Sequence, residues 1–466
     1  MRRSSPVVIL ALCGLCLAAA AAHGQVRFPP PEFESGYTFP AVTAPKPTVA
    51  WHEYVDLALL AAALVVAAVL VLRVRRRGPI AAFGVICLLY FGFYRAGCIC
   101  PIGAIQNVAM ALTGGYAIPL VVLGFFLLPL VAALLFGRVF CASVCPLGAV
   151  QDLVALKPLR VPAAVDHALG LLPWAYLAAA VVFAVTGSAL IICRYDPFVA
   201  IFRMVPIGKI LEGWARRDPS LDPAALSGRL DPLLLGGAFL VIGMFLARPY
   251  CRWLCPYGVL LGLLSKLSWR RVTITPDECI QCRLCEDTCP MGAIREPTAK
   301  APSHMRFRGR GALTAALFLL PLLVVAGGLL GGALGGTMAK MHPTVRLAER
   351  IRRENAGAVE GTTDESDAFR GTGEPADALY ARAGAIEATF VSRWGPAWAA
   401  FGAAHLCGGF VGLVIGLKLV GLSIRRRRTD FEADRASCVG CGRCFASCPV
   451  ERTRRQGKDV EIRTDA

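Results

Sequence analysis

Cys279-Ile-Gln-Cys282-Arg-Leu-Cys285-Glu-Asp-Thr-Cys289-Pro290 sets the character of this chain, and Cys438-Val-Gly-Cys441-Gly-Arg-Cys444-Phe-Ala-Ser-Cys448-Pro449 repeats its pattern close to the C-terminus. Both read C-x2-C-x2-C-x3-C-P, a run whose thiolates hold a cubane [4Fe–4S] cluster. The first three cysteines share one tight loop, so three sulfurs converge on one cluster. The fourth, followed by proline, lies beyond that loop and in two-cluster proteins ligates the other cluster. Zinc would ask for two separated pairs of ligands, not four cysteines within eleven residues. One copy is a strong signal, and a second makes iron–sulfur binding the expectation.

The spacing is that of a bacterial ferredoxin half. Two halves in one chain predict a small α+β ferredoxin-like module with two [4Fe–4S] clusters. The expected ligands are Cys279, Cys282, Cys285 and Cys448 for one cluster, and Cys438, Cys441, Cys444 and Cys289 for the other. The alternative is that each run serves its own cluster. A reducing cytoplasm suits eight free thiols.

The rest of the chain is too apolar for a soluble globule: 466 residues, 56% hydrophobic and 17% charged, with a mean hydropathy of +0.57. Apolar runs predict spans at 54–73, 79–96, 118–137, 168–192, 232–247, 311–335 and 399–423, each near the ~20 residues a bilayer requires. The expected fold class is an all-α multi-span membrane protein of about seven transmembrane helices with the ferredoxin-like module attached. Arg2 and Arg3 ahead of an apolar stretch, with Ala22-His23-Gly24 before Gln25, predict a signal peptide at 1–24, an uncleaved anchor being the alternative. An external Pro-rich leader at 25–53 precedes a membrane domain at 54–270. The first ferredoxin half follows at 271–300, an external helical segment at 336–398 lies between the last two spans, and the second half occupies 430–466.

The net charge of +17 does not point to nucleic acid, because the basic residues sit beside span ends: Arg73 and Arg75 to Arg77, Arg270 and Arg271, and Arg425 to Arg428. That is the positive-inside bias. With an external mature N-terminus, seven spans put these clusters and both cysteine runs on the cytoplasmic side of a bacterial inner membrane.

A Cys-Pro-x-Gly turn recurs inside the membrane part, as Cys98-Ile-Cys100-Pro-Ile-Gly, Cys141-Ala-Ser-Val-Cys145-Pro-Leu-Gly and Cys251-Arg-Trp-Leu-Cys255-Pro-Tyr-Gly. Proline at the first helical position loses only an N–H that would be an orphan, and the helix N-terminus favours the thiolate. Cys141, Cys145, Cys251 and Cys255 are four sulfurs on one face. They suffice for a third metal or iron–sulfur centre; the alternative is that the turns only pack the module onto the membrane domain. Cys98 and Cys100 fall on the opposite face near Cys193, with Cys407 at similar depth. An outer redox site there stands against a disulfide and buried small hydrophobes.

With these motifs and spans together, the chain resembles the NosR/NapH-type membrane polyferredoxins over roughly residues 79–310 and 399–450. That family includes the nitrous-oxide-reductase accessory protein, the nitrate-reductase quinol-dehydrogenase subunit and a cytochrome-oxidase accessory polyferredoxin. The resemblance implies electron transfer between quinol or a cytoplasmic donor and a periplasmic redox partner, be it a cytochrome, flavoprotein or reductase. It matches the family's C-x3-C-P cysteines to Cys141, Cys145, Cys251 and Cys255. No counterpart of the large external flavin domain of the nitrous-oxide accessory protein is expected: roughly thirty residues lie between the expected signal peptide and the first span, too few for a domain, and no FMN domain or flavin-attachment run is seen.

Two functions follow. One is an electron-transfer subunit, not a stand-alone enzyme; the other is an accessory factor for metal-centre maturation or redox sensing of a respiratory reductase. His167 and His405 lie at or within spans, where a polar-bonded histidine is commoner than a haem ligand. Tyr195-Asp196-Pro197-Phe198 reads as a turn more readily than as a quinol site. No phosphate-binding loop, dinucleotide glycine motif or nucleophile triad occurs.

Overall fold

The computed structural model describes residues 51–95, 101–113, 118–156, 159, 161–187, 196, 201–202, 230–274, 279–297, 303–359, 363–391, 402–424 and 428–455. The expected signal peptide, nearly all of the leader, and Cys98, Cys100 and Cys193 lie outside these residues. The chain divides into two compact units, one of residues 1–160, 194–297 and 430–466, the other of 161–193 and 298–429.

In the first unit, α1 (Trp51–Val69) and α2 (Arg77–Cys87) are each extended by a wider turn, Leu70–Val74 and Leu88–Tyr94. These turns close with N–H groups bonded five residues back, Arg75 to the Leu70 carbonyl at 2.8 Å and Arg95 to Tyr90 at 2.9 Å. Asp56 is buried in α1, where it accepts a hydrogen bond from the Tyr90 hydroxyl at 3.0 Å and pairs with Arg95. A carboxylate on a membrane-length helix is thereby satisfied within the protein. After α3 (Pro101–Leu112) and α4 (Leu120–Phe136), a wide turn at Phe140–Val144 leads into α5 (Pro146–Val154).

The second unit opens with α6 (Ala163–Leu169) and α7 (Leu172–Gly187). The chain then returns to the first unit for α8 (Leu230–Phe245), α9 (Pro249–Trp253), α10 (Pro256–Lys266), α11 (Leu284–Thr288) and β1 (Ile294–Arg295). Next come α12 (Ser303–Ala333), α13 (Gly335–Lys340), α14 (Pro343–Asn355), α15 (Asp364–Arg370), α16 (Ala376–Val391) and α17 (Ala403–Ser423) of the second unit. β2 (Glu432–Ala433), α18 (Arg443–Ser447) and α19 (Pro449–Arg455) complete the first.

Helix occupies all seven stretches expected to span. Among the described residues five helices are long and apolar enough to cross a membrane: Trp51–Val74, Arg77–Tyr94, Ala164–Thr186, Gly311–Ala333 and Ala403–Ser423. α4 and α8 are shorter, at 17 and 16 residues; at about 1.5 Å per residue neither reaches ~30 Å. Backbone positions with positive φ follow both, Gly137 (φ 78°) and Arg248 (φ 46°), and turn the chain into the two C-x3-C-P segments.

Within the second unit, α12 and α17 cross so closely that a Cβ on Gly408 would lie 2.1 Å from the Gly327 carbonyl oxygen. Glycine is required there because the two backbones touch. His405 lies against Gly332, where a Cβ would come 2.1 Å from its Nε2. Residues 343–391 carry a small core of Val345, Ala348, Ile351, Phe369, Leu379 and Ala383. The polar stretch 362–374 holds a short helix, α15, whose N-terminus is fixed by reciprocal hydrogen bonds between Thr363 and Ser366.

Candidate iron-sulfur site

The two cysteine runs meet in the first unit. β1 and β2 pair antiparallel, Ile294 opposite Ala433 and Arg295 opposite Glu432, so each run contributes one strand. The Asp434 N–H donates to the Ala293 carbonyl at 2.7 Å and Arg295 pairs with the Asp434 carboxylate at 3.0 Å. Burial alone would raise the Asp434 carboxyl, but hydrogen bonds from Ala436 and Arg295 win and hold it below the usual carboxylate range. Ile274, Cys285, Ile294 and Phe431 form the core beneath, with Cys279, Cys289 and Cys444 packed against it.

Both loops bend the same way. Gln281 (φ 52°) and Arg283 (φ 61°) match Gly440 (φ 69°) and Gly442 (φ 75°) position for position between their cysteines. Left-handed residues let a loop wrap a central object. The first loop reaches that shape with side chains present, the second with glycine.

One cavity, about 300 Å³ with its open mouth included, is lined by Cys279, Cys282, Cys285 and Cys448. A second, about 410 Å³ with its open mouth included, is lined by Cys438, Cys441, Cys444 and Cys289. Each takes three thiols from one loop and the fourth from the other. Among the described residues no three His, Cys, Asp or Glu side chains converge closely enough for a single metal ion. Thiols that ring a cavity suit a cluster better than one tetrahedral ion with sulfurs at about 2.3 Å. Burial raises five of these thiols, Cys285 to about 11 and Cys438 to about 12, with Cys441 and Cys448 above and Cys444 well above the ordinary value. Ionising them therefore depends on a bound cationic centre, and binding releases protons.

The module is seated on the helices. Arg75, left-handed at the turn between α1 and α2, donates to the Ile274 carbonyl at 2.7 Å and pairs with Glu451 at 3.1 Å. Its guanidinium also lies 4.4 Å over the Phe445 ring. A Cβ on Gly440 would lie 3.1 Å from Val71, and one on Gly442 3.1 Å from Ile80.

Beside this contact lie the two C-x3-C-P turns, built alike. The Cys145 N–H bonds the Phe140 carbonyl and the Cys255 N–H the Tyr250 carbonyl, both five residues back at 2.9 Å. Each cysteine then caps a Pro-opened helix, α5 or α10. The Gly258 N–H donates to Cys255 Sγ at 3.2 Å, whereas Cys145 caps α5 without a side-chain hydrogen bond. All pairs among Cys141, Cys145, Cys251 and Cys255 are near enough to interact electrostatically. Burial pushes Cys251 up to about 11 and also raises Cys145 and Cys255 well above the ordinary thiol value.

Sequence spacing does not announce the polar residues around these thiols. Gln151 donates to Cys251 Sγ at 3.5 Å and accepts from the Tyr250 N–H at 3.2 Å. Asp196, read from sequence as part of a turn, is buried and accepts the Tyr250 hydroxyl at 2.5 Å. Arg138 and Arg248 each stand three residues before the first cysteine of a pair; that shared offset was the available signal. His167 and His405 lie on α6 and α17, and Cys407, half-buried on α17, belongs to the second unit.

A family model described as a 4Fe-4S binding domain matches residues 118–162 and 230–275, the segments holding the two C-x3-C-P pairs. A second, also described as a 4Fe-4S binding domain, matches 272–295. Among curated proteins, an uncharacterized protein of Methanocaldococcus jannaschii is 37% identical over 71 residues, 15% of this chain and 29% of that protein. YccM of Escherichia coli, by its name an electron transport protein, is 39% identical over 51 residues, 11% of this chain and 14% of its own. NirI of Paracoccus denitrificans is 30% identical over 146 residues, 30% of this chain and 18% of its own. The chain thus spans under a third of the length of each of these relatives. No solved structure matches it.

Apolar helices of membrane length, a thiol-rich two-strand module and matched 4Fe-4S binding domains define a helical, multi-pass iron–sulfur membrane protein. Within that class, the domains and the likeness to NirI and YccM fit the NosR/NapH-type membrane polyferredoxin family.

Proposed function

We propose that this protein is a membrane-bound electron carrier that passes single electrons between quinol or a cytoplasmic donor and a periplasmic oxidoreductase. The observation that carries this is the crosswise lining of the two cavities, each with three thiols from one loop and one from the other. Cys279, Cys282, Cys285 and Cys448 would hold one [4Fe–4S] cluster, and Cys438, Cys441, Cys444 and Cys289 the second. When bound, each cluster supplies reversible storage of one electron at a potential set by burial, charge and hydrogen bonds to sulfur. The protein's part is positioning. Cys444 lies near enough to Cys285 for their charges to interact, so the two sites adjoin.

Cys141, Cys145, Cys251 and Cys255 would hold a third centre, consistent with the 4Fe-4S domain description of the segments that carry them. Placement of the module on the cytoplasmic face is supported by Arg75, which stands in the basic cluster between α1 and α2 and binds both halves of the module.

Iron and labile sulfide per chain on anaerobically purified protein, with EPR after reduction, test this. About twelve irons support three cubanes; about eight support the module and leave the C-x3-C-P thiols without a cubane. Iron near zero overturns the proposal.

A further inference from the structure

The two C-x3-C-P segments exchange their arginines. A Cβ on Gly148 would lie 3.4 Å from Arg248 Nη1, and one on Gly258 3.1 Å from Arg138 Nη2. Each guanidinium therefore lies over the Cys-Pro-x-Gly turn of the other segment. Arg248, 2% exposed, is clamped by Asp152 at 2.6 and 3.0 Å and donates to the carbonyls of Cys141 and Ala142. Arg138 differs. Its Nη2 stands 3.8 Å from Cys141 Sγ and its Nη1 donates to the Ala436 carbonyl at 2.9 Å, two residues before Cys438. Its Nε is buried with no hydrogen-bond partner, and among the described residues no carboxylate pairs with it.

A cation in such a place requires anionic company. The groups available are thiols: Cys141 and Cys251 on one side, Cys438 on the other, all within electrostatic reach of Arg138. Arg248 likewise lies within electrostatic reach of Cys145 and Cys251 and of Cys441.

We infer that Arg138 and Arg248 are the shared counter-charges of the four-thiol centre and of the cluster site at Cys438, Cys441, Cys444 and Cys289, and that they raise the reduction potential of both. The inference rests on the cluster assignment proposed above. A fixed positive charge beside a thiolate cluster favours the form carrying one more electron, and two arginines within reach of thiols of both centres act on each. They are positioning and tuning residues; neither is a ligand.

The test is an EPR-monitored redox titration of full-length protein purified anaerobically, with iron counted first. Arg138→Gln should lower the potential of at least one cluster by a tenfold or larger change in its one-electron equilibrium, about 59 mV. Arg138→Lys should restore it, and the cluster at Cys279, Cys282, Cys285 and Cys448 should move less. Asp152→Asn, which leaves the Arg248 charge uncompensated, should shift potential upward. Opposite signs from the two variants are an electrostatic signature that general loosening of the fold does not produce. If Arg138→Gln loses iron, the sign of the Asp152→Asn shift decides: upward supports the inference, none overturns it. Wild-type iron content with unmoved potentials in both variants overturns the inference alone. A wild-type protein without iron overturns the cluster assignment and this inference with it.

Discussion

Arg75 and Glu451 form a nearly buried ion pair, 3.1 Å apart, between the turn joining two membrane-length helices and the first turn of the last helix. The same guanidinium holds the Ile274 carbonyl and covers the Phe445 ring. One side chain thus ties both halves of the cysteine module to the helical part of its unit.

Removing Arg75 should therefore loosen the module as a whole. Arg75→Met leaves Glu451 buried without its cation, a change of about 3–5 kcal/mol when a buried pair is broken. Pairing it with Glu451→Leu should recover much of that loss, because the desolvated charge is gone. Thermal unfolding in detergent checks this: the double variant should melt above the single one. Equal melting would mean that the pair carries little energy.

Cysteine substitutions should sort crosswise. If Cys448 serves the cavity of Cys279, Cys282 and Cys285, then Cys448→Ser and Cys285→Ser should leave the same residual EPR spectrum. Cys289→Ser and Cys444→Ser should leave the other one. Cys448→Ser resembling Cys444→Ser would instead mean that each run serves its own cluster.

The loops predict an asymmetry in tolerance. Arg283→Gly relieves a left-handed side-chain position (φ 61°) worth about 1–2 kcal/mol, offset by the freedom glycine gains in the unfolded chain. Its effect on stability should be between zero and about 1 kcal/mol of gain. Gly442→Ala places a Cβ at φ 75° and 3.1 Å from Ile80, so it should cost about 1–2 kcal/mol or more and lower iron per chain. Iron content and melting temperature of the two variants provide the comparison.

What the sequence shows of this molecule is what is local. Cysteine spacing in Cys279–Cys289 and Cys438–Cys448 is a property of one loop each, and apolar runs of membrane length are visible as runs. Arg75 reads in the sequence as one of several charges that orient a membrane protein, and its second task depends on residues hundreds of positions away. Arg138 and Arg248 are concealed for the same reason, since each works on the other's segment. α15 is hidden differently. Seven residues of mixed polarity have too few turns to stand alone, and the helix is held by its Thr363–Ser366 cap and by burying Phe369. The short reach of α4 and α8 follows from the turns at Gly137 and Arg248, which hydropathy alone does not locate.

Asp434 should give the junction between the two halves a pH dependence of known sign. Its carboxyl is held below the usual range in the folded protein by the Ala436 N–H and by Arg295. A depressed value means that the ionised form is the one folding favours. The contribution is therefore full above the unfolded value of about 3.9 and is lost as pH falls through the lower folded value. Asp434 is 27% and Arg295 40% exposed, so solvent limits the effect to about 1–2 kcal/mol. Acid also protonates the cysteines, so the useful quantity is the stability difference between wild type and Asp434→Asn. That difference should be constant from neutral pH down to about 5 and shrink below about 4. A difference that grows on acidification would mean that Asp434 is held protonated, opposite to the hydrogen bonding seen at the junction.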